Sequence, residues 1–333
     1  MDNYALIQKK IVTYSEVVIC LFDSCNLNCA FCPQDHNSTL FMNRKDIMNK
    51  TSTVIHWINN KSSSFIKIHL MGGELFQDDL VDKQFLQIYS DFVDEIKSKV
   101  NPEKELYFNF ITNLVFTRQT EVYDFLKKHR LEFSISYDPV GRFTPAAMVQ
   151  FQENLKFFHN KISMVSIVLS AQNIKKIQHG DPVFDKLYGS YPCDFDQFLP
   201  SVHNSDAFIP SASQIRDFYI FLIEEYPECL TIEHFITKEG AKKMRCTRGN
   251  SLTILNDGSV PQECSGSIFL KDGQKEQLDQ PKIVYDYIGK QNCLTCAYYE
   301  RCPFPCFVAS SYHVKKDDIG RCLYKEVFDY TVS

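Results

Sequence analysis

The chain lacks any run approaching the roughly 20 apolar residues that a membrane span needs. Its first residues, MDNYALIQKKIVTYSE, contain neither a long apolar segment nor a small-residue cleavage site. Neither membrane insertion nor secretion is expected, and the protein reads as cytosolic. An excess of one charge is also missing: 36 Lys and Arg stand against 41 Asp and Glu, a net charge of −5. Nucleic acids bind through neutralisation of their phosphates, and no global basic field exists here to do it, so they are not expected partners. Internal repeats, low-complexity tracts and polar linkers are absent as well.

What is present suits a large core and metal chemistry. The 333 residues are 44% hydrophobic and include 27 Phe and 17 Tyr, enough for one large domain plus a smaller one. The 13 cysteines would suggest disulfides in a secreted chain; in a reducing cytosol they point to metal or redox work.

Short apolar runs at Val17 to Phe22, Ile66 to Leu70, Leu106 to Ile111, Phe133 to Ser136, Met164 to Leu169 and Phe195 to Leu199 read as strands. Helical stripes lie between them, at Ile47, Val54, Ile55 and Ile58, then Phe85, Ile88, Tyr89, Phe92 and Ile96, then Val122, Phe125 and Leu126. A longer amphipathic segment runs from Ser213 to Tyr226. Strands alternating with helices imply an α/β fold with a parallel sheet, because each parallel connection needs a crossover that covers the sheet face. A partial barrel and an open sheet both fit. Near Thr237 the helical periods fade, and seven of the 13 cysteines fall between Cys246 and Cys322. A boundary is expected there, dividing residues 1–236 from 237–333.

The first strand runs into Cys25-Asn26-Leu27-Asn28-Cys29-Ala30-Phe31-Cys32, a C-x3-C-x2-C loop. Three thiolates on one loop hold three irons of a 4Fe-4S cluster and leave the fourth without a protein ligand, open to chemistry. A zinc loop is the other reading. Cys20, inside the strand, reads as a small core residue.

This loop resembles the signature of the radical S-adenosylmethionine (radical SAM) superfamily, C-x3-C-x-aromatic-C, with Phe31 at the aromatic position. The resemblance implies a partial (β/α)6 TIM-like barrel and an open iron that chelates S-adenosylmethionine (AdoMet). It also implies reductive cleavage of AdoMet to a 5'-deoxyadenosyl radical, which abstracts a substrate hydrogen. The electron would come from a flavodoxin- or ferredoxin-type reductant.

Gly72-Gly73-Glu74 follows the second strand and resembles the family's AdoMet-amino motif. Glycines there allow close backbone approach to a ligand, and Glu74 can accept from an ammonium. Thr112-Asn113 ends the third strand and resembles the family's Thr-Asn-Gly element, with Leu114 replacing the glycine; a polar strand terminus is the other reading. Ser136 ends the fourth strand within a Ser-x-Asp segment that resembles the one reaching the AdoMet carboxylate or ribose. Asp138 and Arg142 equally suit a solvated turn, and Gln172 or Asn173 are weaker candidates. Strand C-termini in barrel-like folds share one face, so these positions converge.

The second array is Cys246, Gly258, Cys264, Cys293, Cys296, Cys302, Cys306 and Cys322. Its order and spacing resemble the SPASM domain, a cysteine-rich, loop-rich module with two auxiliary iron-sulfur clusters. Five residues rather than the family's four separate Gly258 from Cys264. The resemblance assigns Cys293, Cys296, Cys302 and Cys322 to one cluster, and Cys246, Cys264 and Cys306 to the other. The second set keeps an open iron or recruits Cys193 or Cys229. Structural zinc is the alternative.

Auxiliary clusters suit oxidation or crosslinking, and the resemblance implies a ribosomally made peptide as substrate, modified by oxidation, crosslinking or epimerisation; modification of a small metabolite such as an amino acid or amino sugar is the second reading. A non-enzymatic iron-sulfur electron carrier is a distant third. Sulfatase-maturing relatives place Asp directly after the second auxiliary cysteine, whereas Ser265 follows Cys264 here, so that activity is not expected. Only 24 residues precede Cys25, so a peptide substrate implies a separate leader-recognition protein or no leader recognition.

Overall fold

A computed structural model of the chain describes residues 14–35, 44–79, 83–201, 203–237, 251–260, 280–307, 309–310, 313 and 320–332. The first six strands are β1 (Tyr14–Cys20), β2 (Phe65–Met71), β3 (Glu105–Thr112), β4 (Glu132–Ser136), β5 (Ile162–Leu169) and β6 (Cys193–Gln197). Each matches an apolar run within a few residues. They pair in parallel, in the spatial order β6-β5-β4-β3-β2-β1.

A seventh strand, β7 (Ser251–Ile254), lies beyond the expected boundary yet pairs in parallel with β1, with Glu16 opposite Ser251 and Ile19 opposite Ile254. Its four residues carry too little period-2 signal to mark a strand, and its partner lies more than two hundred residues earlier in the chain. Among the described residues the sheet therefore has seven strands, and the partial barrel is completed at the β1 edge by a segment from the C-terminal part.

Helices cover the outer face: α1 (Arg44–Asn59), α2 (Lys83–Lys99), α3 (Gln119–His129), α4 (Pro145–Phe157), α5 (Ala171–Gln178), α6 (Pro182–Tyr188) and α7 (Ala212–Glu225). In β2 the side chains of Ile66, Ile68 and Leu70 are fully buried on the helix side, while Lys67, His69 and Met71 alternate to the barrel side. Helix starts are written into the sequence. Thr144 Oγ1 accepts from Ala147 N at 3.2 Å with Pro145 next, and Asp181 Oδ1 accepts from Val183 and Phe184 N with Pro182 next. Ser211 and Gln214 form a reciprocal capping box on α7. Helix α3 stops where Arg130 takes a left-handed conformation at φ 54°.

An aromatic core lies beneath the C-terminal ends of β2 to β4. Phe76, Phe110, Phe125, Phe133 and Phe158 are all nearly or fully buried, with centroid spacings of 6.1 Å for Phe76–Phe110, 5.3 Å for Phe110–Phe125 and 5.4 Å for Phe133–Phe158. After the C-terminal region resumes, α8 (Glu233–Ile236) having closed the barrel part, come α9 (Gln280–Lys290) and α10 (Leu323–Val332). Tyr324 and Phe328 of α10 pack on Phe235 and Tyr219, docking the C-terminal helix against the barrel.

Asn154 on α4 is fully buried and reaches back to the loop after β3, donating to Leu114 O at 2.9 Å and Phe116 O at 2.8 Å. Asn154→Ala leaves two buried carbonyls without this donor. A stability loss of about 2–4 kcal/mol is expected, read as a lower denaturant midpoint at unchanged slope.

Candidate functional site

The cysteine loop leaves β1 and is held from three sides. Gly73 N donates to Phe22 O at 2.7 Å and Glu74 N to Ser24 O at 3.1 Å, while Gln77 Nε2 reaches Ser24 O at 2.7 Å. Ala30 N donates to Gly141 O, and Ser205 N and Asn204 Nδ2 donate to Ala30 O and Phe31 O. Asp23, ahead of the first cysteine, accepts from Gln34 and from Asn256, the latter just past β7.

The two glycines are required by that crossing. A Cβ at Gly73 would sit 1.8 Å from Ser24 O, and one at Gly72 would sit 2.9 Å from Phe22 O. Neither space exists, so these glycines permit a close backbone approach to the cysteine loop itself.

Glu74 is fully buried, and its carboxylate faces inward. Oε1 accepts from Thr112 Oγ1 at 2.6 Å and Phe76 N at 3.0 Å, and Oε2 accepts from Asn113 N at 2.5 Å. Burial pushes its pKa up to about 7 against the pull of these donors. Its observed work is to lock the glycine turn to the end of β3.

Leu114, in the place where the motif it resembles carries glycine, adopts φ 62° with its side chain fully buried. The left-handed strain of roughly 1–2 kcal/mol is outweighed by burying the leucine, worth about 1.5–3 kcal/mol. Asn113 next to it turns its amide to Cys25, with Nδ2 3.6 Å from Sγ and 2.9 Å from Asn26 Oδ1.

Arg142 and Asp138 are no solvated turn. Asp138 has no exposed surface; it accepts from Arg142 Nε and Nη2 at 2.7 and 2.6 Å, from Asn173 Nδ2 at 2.6 Å and from Val168 N at 2.8 Å. The Arg142 guanidinium lies 5.3 Å over the buried Phe31 ring and acts electrostatically on all three thiols. A lone Asp-x3-Arg carries no distinctive pattern, so only the fold brings the cation to the cysteine loop. Burial also explains the state of Asp138, whose pKa rises to about 6 despite the arginine.

Desolvation pushes Cys25 up to about 12 and Cys32 up to about 11, and raises Cys29. Thiolates in such a place need positive charge close by, which an iron cluster supplies and Arg142 supplements. Three sulfur donors on a glycine-pinned loop fit the ligand set of a 4Fe-4S cluster with one open iron. Ser136 lies at the C-terminal end of β4, half-buried beside Ser166 in the register. Among the described residues no three His, Cys, Asp or Glu side chains converge as a site for one metal ion.

Several solved structures match over nearly the whole chain, two of them as follows. One is native anSMEcpe with bound AdoMet and Cp18Cys peptide, at TM-score 0.62 and 14% identity, covering 95% of this chain and 96% of that one. The other is Streptococcus suis SuiB bound to precursor peptide SuiA, at TM-score 0.54 and 15% identity, covering 97% and 78%. The chain shares the fold of these two proteins. No protein-family model and no curated protein sequence matches it.

Within the C-terminal part of the chain, the Tyr287 hydroxyl is 3.7 Å from Cys322 Sγ, and Cys293 and Cys302 are close enough to act on it electrostatically. Cys296 follows a short turn at Cys293–Thr295. Between Pro303 and Pro305, Phe304 takes φ 57°, bending the chain ahead of Cys306. Cys246 and Cys264 lie outside the described residues. Cys193 opens β6, at the opposite end of the strands from the cysteine loop, and Cys229 is fully buried in the same core. Both thiols are raised by desolvation, as core residues are.

Gly73→Ala is expected to displace the cysteine loop and abolish AdoMet binding and iron loading by the loop. Gly289→Ala, where an added Cβ meets nothing within 4 Å, should leave both unchanged. Iron and sulfide analysis with equilibrium AdoMet binding checks the pair.

Proposed function

We propose that this chain is a radical SAM enzyme that modifies a ribosomally made peptide by oxidation, crosslinking or epimerisation. The observation that carries the reading is the cysteine loop pinned by Gly72, Gly73 and Glu74 within a fold shared with AdoMet-bound proteins.

Cys25, Cys29 and Cys32 would hold three irons of the catalytic 4Fe-4S cluster. When bound, that reduced cluster supplies the electron that cleaves AdoMet and so provides a hydrogen-abstracting radical. The chain's own residues do the rest. Asn113 donates to the Cys25 sulfur, and Arg142 places fixed positive charge over Phe31 beside the thiols. The strand ends carrying Glu74, Asn113 and Ser136 share the face where AdoMet would lie, with Gly72 and Gly73 setting the shape of its edge. Burial of Phe31 with Leu27, Ala147 and Phe198 keeps water from the loop's inner side.

A peptide substrate is supported by two structural neighbours, one holding the Cp18Cys peptide and the other the precursor peptide SuiA. Auxiliary clusters on Cys293, Cys296, Cys302 and Cys322, and on Cys246, Cys264 and Cys306, suit a product two electrons more oxidised than its substrate. A flavodoxin- or ferredoxin-type protein would supply the reducing electron. No helix among the described residues is long and apolar enough to cross a membrane.

Anaerobically reconstituted, chemically reduced protein is expected to form 5'-deoxyadenosine from AdoMet. Replacing Cys25, Cys29 and Cys32 together with Ala should reduce this to background while leaving auxiliary iron in place; retained product sinks the assignment. Replacing Cys293 and Cys296 should lower iron and sulfide content. Unchanged iron with lost zinc would instead identify a structural zinc site.

A further inference from the structure

Tyr287 belongs to no motif, yet its hydroxyl occupies a particular place. On α9 its ring packs edge-on against Phe307, with centroids 5.3 Å apart, and joins a small core of Val284, Ile288, Cys293 and Phe304. A phenylalanine would satisfy that packing. The hydroxyl instead meets Cys322 Sγ at 3.7 Å, within reach for a bond to sulfur, and Cys293 and Cys302 lie near enough to act on it electrostatically. One thiol assigned to the auxiliary cluster thus meets the phenol directly, and two more act on it through space.

The direction of that bond follows from chemistry. Between a free thiol and a phenol either group can donate. A thiolate that ligates iron has lost its proton and can only accept, so the donor must be Tyr287. A hydrogen bond donated to a ligand sulfur is stronger when the cluster carries one more electron, because the acceptor is then more negative. It stabilises the reduced form and raises the reduction potential.

We propose that Tyr287 is a positioning residue that sets the potential of the auxiliary cluster by donating its hydroxyl to Cys322. The inference rests on the reading of Cys293, Cys296, Cys302 and Cys322 as one ligand set. In the step concerned the cluster takes up one electron from an external one-electron reductant, and the Tyr287 proton stays on its oxygen throughout. No bond to hydrogen is made or broken.

A line of buried polar groups ties this place to the barrel. Tyr324, two residues after Cys322, has its hydroxyl within hydrogen-bonding reach of Tyr219 on α7, and Tyr219 accepts from Gln197 Nε2 at 3.1 Å at the end of β6. The rings of Tyr219 and Tyr324 meet edge-on at 6.0 Å, and both are buried. The segment carrying Cys322 is therefore held against the barrel, which fixes the sulfur that Tyr287 meets.

The test uses the Cys25, Cys29 and Cys32 triple-alanine chain, so that only auxiliary iron contributes, and follows the reduced signal by electron paramagnetic resonance in a potentiometric titration. Tyr287→Phe should shift the midpoint downward by about a tenfold change in the reduced-to-oxidised ratio, about 59 mV for one electron. Placing 3-fluorotyrosine, a stronger donor, at 287 should shift it upward, an opposite sign that loss of packing cannot produce. Tyr226→Phe, whose hydroxyl bonds Asp185 instead, should leave it unchanged. If Tyr287→Phe fails to load iron, the fluorotyrosine protein decides by whether its midpoint rises. A triple-alanine chain with no iron-sulfur signal overturns the auxiliary reading and this inference with it. A signal whose midpoint ignores changes at 287, or moves equally with Tyr226→Phe, overturns the inference alone.

Discussion

At the centre of the molecule the Ser24 carbonyl occupies the space that a side chain at position 73 would need. Because Gly73 has none, the turn after β2 can cross the start of the cysteine loop in direct backbone contact, and the hydrogen bonds from Gly73, Glu74 and Gln77 become possible. The loop's path follows from that crossing. It determines where Cys25 emerges, brings its sulfur to Asn113, and leaves Cys29 and Cys32 to be placed by the contacts of Ala30 and Phe31 with the loops at 141 and 204–205.

Burying charge beneath such a site is costly, and each buried charge here is met by several partners. Glu74 has three donors and Asp138 has four, two of them from one guanidinium. Removing one partner would strand the other, the usual hazard of buried pairs. Their value lies in geometry: Glu74 joins the ends of β2 and β3, and Asp138 joins β4 to β5 and α5 while fixing Arg142 over Phe31. The ends of β2 and β3 are thus tied to each other, as are those of β4 and β5, and such buried bonds hold the side chains of a site in place.

Much of this was legible in the residues. The six apolar runs lie within a few positions of β1 to β6, and the stripes through Phe92, Ile96, Phe125 and Leu126 are core-facing helix sides, because burial imposes the periods of 2 and 3.6 on any sequence. The C-x3-C-x2-C loop and the Gly-Gly-Glu turn were visible because their spacing is local. The seventh strand was not, since Ser251–Ile254 acquires its meaning only from pairing with β1. Nor was the left-handed backbone at Leu114, where burial offsets strain at a residue that by itself argues against that conformation.

The sequence by itself determined the strand and helix alternation, the three-thiol loop and the cysteine-rich character of the C-terminal part, all properties of residues close together in the chain. Only the tertiary structure decided that Asp138 and Arg142 form a buried pair beside the thiols, that Gly72 and Gly73 serve the cysteine loop, and that Tyr287 faces Cys322. Those relations join residues tens of positions apart, and their energies come from desolvation and close contact, which exist only once the chain has folded.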